Sequence, residues 1–272
     1  MFSVIFPGQG SQSVGMGKDF FKRFNLVKKL FKEADEVLGV ELSKIIFEGT
    51  KKELDLTKNT QPAVFLISYS IFQVIKNEFN INIDKAKYFA GHSLGEYSAL
   101  SAAGYLNFAD TISLLRIRGD AMQNAVLNGE GGMVVTLGSN ISDIEKILKD
   151  NEKNFMVQIA NDNADGQIVL SGLNTDLAKL SDILKLNNIK NLKLPVSAPF
   201  HCTLMKKATL IMKKEIEKVK FSDGRNKLIS NVTALEISNK DELKKLLIEQ
   251  IESRVRWRQS VVNMINKGVE HF

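Results

Sequence analysis

The pentapeptide Gly91-His92-Ser93-Leu94-Gly95 constrains this chain more than any other feature. It matches G-x-S-x-G, the sharp turn that presents a serine hydroxyl between the end of a strand and the start of a helix. The preceding Lys87-Tyr88-Phe89-Ala90 reads as a short strand, and from Leu94 to about Ala125 the apolar spacing is helical, interrupted near residues 104–110. The two glycines permit the turn, and the first turn of the helix offers unsatisfied N–H groups to a developing oxyanion. The expectation is an α/β chain whose nucleophile is Ser93. Without the strand and helix around it, the same pentapeptide would be a glycine-bounded turn with an exposed serine.

The flanking pattern extends this reading. Residues 3–6 read as a buried strand that runs into the glycine-punctuated loop Pro7-Gly8-Gln9-Gly10-Ser11-Gln12. Helical spacing then dominates to about residue 40 and returns over 61–78. Residues 132–196 change rhythm: strand 133–137, helix 142–150, strand 155–160, strand 167–171, helix 175–186, strand 191–196. That β-α-β-β-α-β order is the ferredoxin-like unit. A helix (204–219), a strand (227–232) and two further helices (241–252 and 257–267) follow. The alternation outside the unit argues for a mostly parallel sheet. The expected organisation is a large α/β domain from residues 1–125 and 197–272, with a ferredoxin-like subdomain, 126–196, inserted into it.

Composition excludes several classes. With 44% hydrophobic and 25% charged residues the chain is neither disordered nor repetitive. One cysteine cannot form an internal disulfide, no apolar run is long enough for a membrane span, and the N-terminus lacks a basic leader, so a cytoplasmic protein without membrane partners is expected. The net charge of +6 is local, since residues 197–272 carry 15 basic and 9 acidic side chains. That suits an anionic partner. Nucleic acid is a poor fit, because 30 of the 37 basic residues are dispersed lysines with no basic-aromatic motif. Three scattered histidines and one cysteine offer no metal-ligand spacing.

A serine nucleophile needs a general base, and histidine suits neutral pH. His92 adjoins the serine on the turn, where its side chain is expected to point away and to pack or orient. His271 is penultimate and expected to fray. His201, in Ser197-Ala198-Pro199-Phe200-His201-Cys202, remains as the base. Cys202 lacks an elbow and reads as a buried structural thiol. Glu96 is expected to interact with the first turn of its helix. Arg116 and Arg118 are, from the residues alone, equal candidates for holding an anionic substrate group.

Together, Phe6-Pro7-Gly8-Gln9-Gly10-Ser11-Gln12, Gly91-His92-Ser93-Leu94-Gly95-Glu96-Tyr97-Ser98-Ala99-Leu100, and Arg118-Gly119 with Met122-Gln123 resemble the malonyl-CoA:acyl-carrier-protein transacylase family. Thr60-Gln61-Pro62-Ala63, Gly166-Gln167 and Phe200-His201-Cys202 add to the likeness, which runs along the whole chain. The resemblance implies an α/β-hydrolase-like large domain holding a ferredoxin-like insert. It implies that Ser93 is acylated, that His201 is its base and that the main-chain carbonyl of Gln250 orients His201. The backbone N–H groups of Gln9 and Leu94 correspond to the oxyanion hole. Arg118 is favoured over Arg116 as the group that holds the malonyl carboxylate, Gln61 steadies it, and Phe200 restricts a 2-methyl branch. Malonyl-CoA and acyl carrier protein are the implied partners of a monomer, in fatty acid biosynthesis, with no bound cofactor or metal. Lys206, Lys207, Arg254, Arg256 and Arg258 are candidate contacts for acidic partners.

Family members continue beyond the Gly-Val-Glu-His segment with a strand, a Gly-Pro-Gly turn and a helix, so a shortened C-terminus with an exposed apolar edge is expected. Two other readings share the elbow: a serine thioesterase or esterase, and an inactive truncated relative that only binds acyl carrier protein.

Overall fold

A computed structural model of the chain describes every residue except Asn80, Asn128 and Ser197. Ser197, where the return from the inserted unit was expected to begin, lies outside the described residues. Strand β1 (Val4–Phe6) leads into helices α1 (Lys18–Arg23), α2 (Asn25–Leu38), α3 (Leu42–Glu48), α4 (Lys51–Leu54) and α5 (Thr57–Glu78). The helical stretch expected up to residue 40 is thus two helices, separated where Phe24 turns extended (φ −112°, ψ 120°), and the short α3 and α4 follow it. Helix α5 starts ahead of the expected residue 61 and contains Pro62. Pro62 has no N–H to donate to the carbonyl of Lys58 one turn back. Arg116 supplies the missing donor through Nη1, at 3.1 Å.

Strand β2 (Tyr88–Gly91) then breaks into α6 (Leu94–Ala102), followed by α7 (Phe108–Gln123). Next come β3 (Gly131–Leu137), α8 (Ile141–Asp150), β4 (Val157–Ala164), β5 (Gln167–Leu173), α9 (Asn174–Leu186) and β6 (Lys190–Lys193). The chain closes with α10 (Lys206–Lys218), β7 (Lys227–Ile229), β8 (Glu236–Ile237), α11 (Lys240–Glu249) and α12 (Trp257–Asn266).

Two sheets result. The first has the order β1-β2-β7-β8, with β1, β2 and β7 parallel and the short β8 antiparallel. The second has the order β4-β5-β3-β6 and is antiparallel throughout, the ferredoxin-like arrangement. Each has its own apolar core. Leu94, Leu100, Phe65, Phe89 and Leu115 are central to the first, and Ile144, Leu170, Leu177 and Leu184 to the second.

Two strand boundaries differ from the periodicity in ways that matter. Strand β4 ends at Ala164, past the expected residue 160, because its polar Asn161 and Asp162, and then Ala164, still pair with β5 through two register shifts. This irregular half also meets the segment before α12: Val255 N–H donates to Ala160 O (2.8 Å) and Asp162 N–H to Val255 O (3.0 Å). Strand β6 stops at Lys193, short of the expected residue 196. His271 is held where fraying was expected, since its carbonyl accepts from Ser3 N–H (3.0 Å) and it bridges Phe2 beside β1.

Candidate active site

The turn between β2 and α6 is tight because glycine allows it. A Cβ on Gly95 would stand 2.5 Å from Phe6 O and 2.7 Å from Pro7 O, so only glycine lets the start of α6 lie against the end of β1. At the apex Ser93 has φ 54° and ψ −109°, a conformation a side-chain-bearing residue rarely adopts. It is held from both sides. Ser93 N–H donates to Asn231 Oδ1 (2.7 Å), Asn231 Nδ2 donates to Gly91 O (2.7 Å), and Gln250 Nε2 donates to Ser93 O (3.0 Å).

The hydroxyl so presented meets two groups. Ser93 Oγ is 2.8 Å from His201 Nε2 and 3.1 Å from Arg118 Nη2. His201 sits at φ 58° and its Nδ1 is 2.9 Å from the main-chain carbonyl of Gln250. A carbonyl only accepts, so Nδ1 carries the proton and Nε2 is free to accept from Ser93. Burial, reinforced by the Arg118 charge, pushes the imidazole pKa from 6.5 down to about 3. The ring is therefore neutral and able to take a proton at physiological pH.

Arg118 is completely buried, and burial lowers its pKa from the usual guanidinium value. Helix α7 can bring it here because Gly119 lies against the start of α5, where a Cβ would stand 2.5 Å from Thr57 O. Nη1 donates to Gln61 Oε1 (2.8 Å) and Nη2 to Gln250 Oε1 (2.8 Å), while Nε is buried with no hydrogen-bond acceptor among the described residues. The face of the Tyr97 ring lies 5.4 Å from the guanidinium carbon. The pair Arg116 and Arg118, equivalent in sequence, is thereby divided: one completes a helix broken by proline, the other reaches the serine.

A cavity of about 160 Å³ opens on this constellation. Gln9, Gln61, Ser93, Leu94, Arg118, Phe200 and His201 all line it, so the residues singled out from the sequence converge, with Gln250 directly behind. His92 lines it too: its Nε2 is 2.8 Å from Asn163 Oδ1 and its ring stands edge-on to Trp257 at 5.7 Å. Burial lowers the pKa of His92. Cys202 is buried, its thiol pKa pushed up to about 11, as befits a structural thiol.

Glu96 does not interact with its own helix turn as expected. Its Oε2 accepts from Gln250 Nε2 (2.6 Å) and Asn231 N–H (3.3 Å). Asn231 and Asn163 had no signal in the sequence beyond being polar residues near short strands. Of the basic candidates, Arg258 is taken by a two-pronged bond to Asp162, 2.9 Å on each arm, and Arg254 by Glu145 at 2.8 Å. Among the described residues no cluster of three or more His, Cys, Asp or Glu could hold a metal ion, and no helix is long and apolar enough to cross a membrane.

A serine on a strand-to-helix elbow, with a histidine on its hydroxyl and an arginine buried beside it, belongs with acyl transferases, and the acyl transferase domain family model matches residues 3–270. The malonyl CoA-acyl carrier protein transacylase of Bacillus subtilis (strain 168) is 43% identical over 99% of this chain and 84% of its own length. The acyl-carrier-protein S-malonyltransferase structure from Bartonella henselae superposes with a TM-score of 0.95 at 41% identity, over 99% of this chain and 86% of that one. A malonyl-transacylase solved in complex with a type II PKS acyl-carrier protein superposes at 0.94 with 34% identity, covering 98% and 86%. The chain belongs to the malonyl CoA-acyl carrier protein transacylase family.

Proposed function

We propose that this protein transfers the malonyl group of malonyl-CoA to the phosphopantetheine thiol of acyl carrier protein through a malonyl ester on Ser93, supplying the extender unit of fatty acid biosynthesis. The observation that carries this reading is the meeting of a base and a buried cation at one hydroxyl, with His201 Nε2 at 2.8 Å and Arg118 Nη2 at 3.1 Å.

His201 Nε2 takes the Ser93 proton as Oγ attacks the thioester carbonyl, and the oxyanion is received by the N–H groups of Gln9 and Leu94. Collapse expels the coenzyme A thiolate, which leaves with the proton from His201. In the second half the carrier thiol gives its proton to His201, attacks the ester carbonyl and displaces Ser93, whose oxygen recovers the proton. The imidazolium formed in each half is stabilised by its Nδ1–H bond to Gln250 O. One thioester replaces another, so covalent relay and charge stabilisation suffice, without a metal or redox cofactor.

Arg118 selects the acyl group. The unpaired Nε and the Nη2 now on Ser93 form the side-on fork that grips a carboxylate with two parallel bonds. An acetyl group leaves that fork empty. The Phe200 ring narrows the cavity against a 2-methyl branch, a discrimination on the order of 1–3 kcal/mol. The reading also includes a division into a catalytic body, residues 1–125 and 197–272, and an inserted subdomain, 126–196, with the acyl cavity between them in a cytoplasmic monomer.

Intact-mass measurement after incubation with malonyl-CoA or acetyl-CoA tests the proposal. The expected result is a malonyl adduct on Ser93, scarce with acetyl and discharged by holo acyl carrier protein. Hydrolysis to free malonate without transfer would instead make the protein a thioesterase, and no adduct at all would leave only a binding role.

A further inference from the structure

Among the buried ionisable groups that take no part in the acyl-transfer steps, one borders the hydrogen bonds that hold the site together. Glu96, on the first turn of α6, is only 2% exposed, and its Oε2 accepts from Gln250 Nε2 (2.6 Å) and from Asn231 N–H (3.3 Å). Gln250 is where the site's connections cross: its main-chain carbonyl meets His201 Nδ1, its Oε1 meets Arg118 Nη2, and its Nε2 meets Glu96 and Ser93 O. The carboxamide therefore lies between an anion and a cation. Turned over, it would aim its NH₂ at a guanidinium that only donates and its oxygen at a carboxylate oxygen. Among the described residues the hydrogen-bond partners of Arg118 are the neutral Gln61, Gln250 and Ser93, and the Tyr97 phenol packs against its guanidinium. Tyr97 and then Glu96 offset the burial of its charge, and of the two Glu96 is the carboxylate.

We propose that Glu96 is a positioning residue for acyl selection: through the Gln250 carboxamide its carboxylate locks Arg118 in the orientation that reads a carboxylate on the acyl group. The inference rests on the malonyl-transfer reading and adds a residue to it. The lock depends on charge, because a neutral acid loses the charge-assisted part of both of its bonds.

Burial pushes the Glu96 pKa from 4.5 up to about 7, against the pull of Gln250, Asn231 and Arg118. The groups around it leave that transition to Glu96. Arg118 of α7 stays charged; Tyr97 beside it and Tyr88 of β2 are phenols pushed to about 12. Burial lowers the pKa of His92, after β2, and holds His201 neutral. Gln61 of α5 is uncharged, and β1 contributes only Val4, Ile5 and Phe6. As pH falls through about 7, Glu96 takes up a proton, the lock loosens and selective malonylation declines, while His201 remains a competent base.

The test uses malonyl-N-acetylcysteamine, a malonyl thioester with no phosphate that titrates near neutrality. Wild-type kcat/KM for Ser93 acylation is expected to fall about threefold or more between roughly pH 8 and pH 6. Glu96→Gln should flatten that limb and lower the malonyl-to-acetyl acylation ratio by roughly tenfold at pH 8, and Glu96→Asp should restore part of both. A merely structural role would move neither the limb nor the ratio. A flat wild-type profile overturns the proposal without recourse to a variant, as does an E96Q enzyme with wild-type profile and ratio. Failure of Ser93 to accept malonyl at any pH would instead sink the malonyl-transfer reading itself.

Discussion

At the scale of single residues, the proposed site divides into groups placed to meet substrate and groups that hold them. Arg118→Ala removes the proposed carboxylate fork and is expected to leave Ser93 Oγ and His201 Nε2 in contact. Ser93 should then remain acylatable by acetyl-CoA while the malonyl preference falls by about 10²-fold or more, the worth of roughly 3 kcal/mol for a charge-assisted pair. Arg118→Lys should recover little, since a point charge cannot reproduce two parallel bonds. Competition between the two coenzyme A esters, followed by intact mass, measures both, and an unchanged preference would remove Arg118 from acyl selection. The meeting of Ser93 with His201 was legible in the sequence because the elbow is a local pattern and only three histidines compete to stand beside it. The side chain that holds the elbow was not. Asn231 lies 138 residues from Ser93 along the chain, and nothing around Asn231 in sequence distinguishes a turn asparagine from one that fixes a nucleophile. Glu96 departs from its expected contact for a related reason: an acid in a helix's first turn is usually explained by that turn, and only packing shows its oxygen directed to Gln250 instead.

At the scale of elements, strand β4 joins the small sheet to the site. Its order in the ferredoxin-like unit was readable from alternation, but its length was not, because Asn161-Asp162-Asn163 carries no apolar period. Those residues extend as a strand because partners outside the unit satisfy them. Asn163 meets His92, Asn161 bridges Val255, and Asp162 receives both arms of Arg258. The Asp162 side chain is 6% exposed and that of Arg258 35%, so removing the arginine strands a buried carboxylate. Arg258→Ala should cost roughly 1–3 kcal/mol, the penalty for an unsatisfied buried polar group, reduced by the exposure of the pair. At about 2–4 °C per kcal/mol for a chain of this size, thermal unfolding should register a drop of several degrees. The double variant Asp162→Asn, Arg258→Ala should lose less than the sum of the single changes. Strictly additive losses would show that the pair does not couple β4 to α12.

At the scale of the whole molecule, the buried site leaves a signature in the pH dependence of stability. His201 titrates at about 3 in the folded protein and near 6.5 when unfolded, so between those values the unfolded chain binds the extra proton. Its contribution is fully present above pH 6.5 and lost as pH falls towards 3; His92, also lowered, acts in the same direction. Glu96 does the opposite. Its folded value near 7 exceeds its ordinary 4.5, so the folded protein binds the extra proton and stability declines as pH rises through that window. The slopes oppose one another between pH 4.5 and 6.5, each about 1.4 kcal/mol per pH unit at most. Glu236, held down to about 2 by bonds from Lys227, Tyr88 and Lys267, adds stability that is lost only below pH 4.5. With two histidines set against one carboxylate, the unfolding temperature of the wild-type protein should therefore climb only shallowly across that window. In Glu96→Gln the opposing slope is gone, and the unfolding temperature should climb more steeply than in the wild type from pH 4.5 to 6.5, as the histidines lose their protons in the unfolded chain. Parallel profiles for the two proteins would mean that Glu96 keeps an ordinary carboxylate pKa in the fold, and the neutral-pH limb in acylation would then need another source.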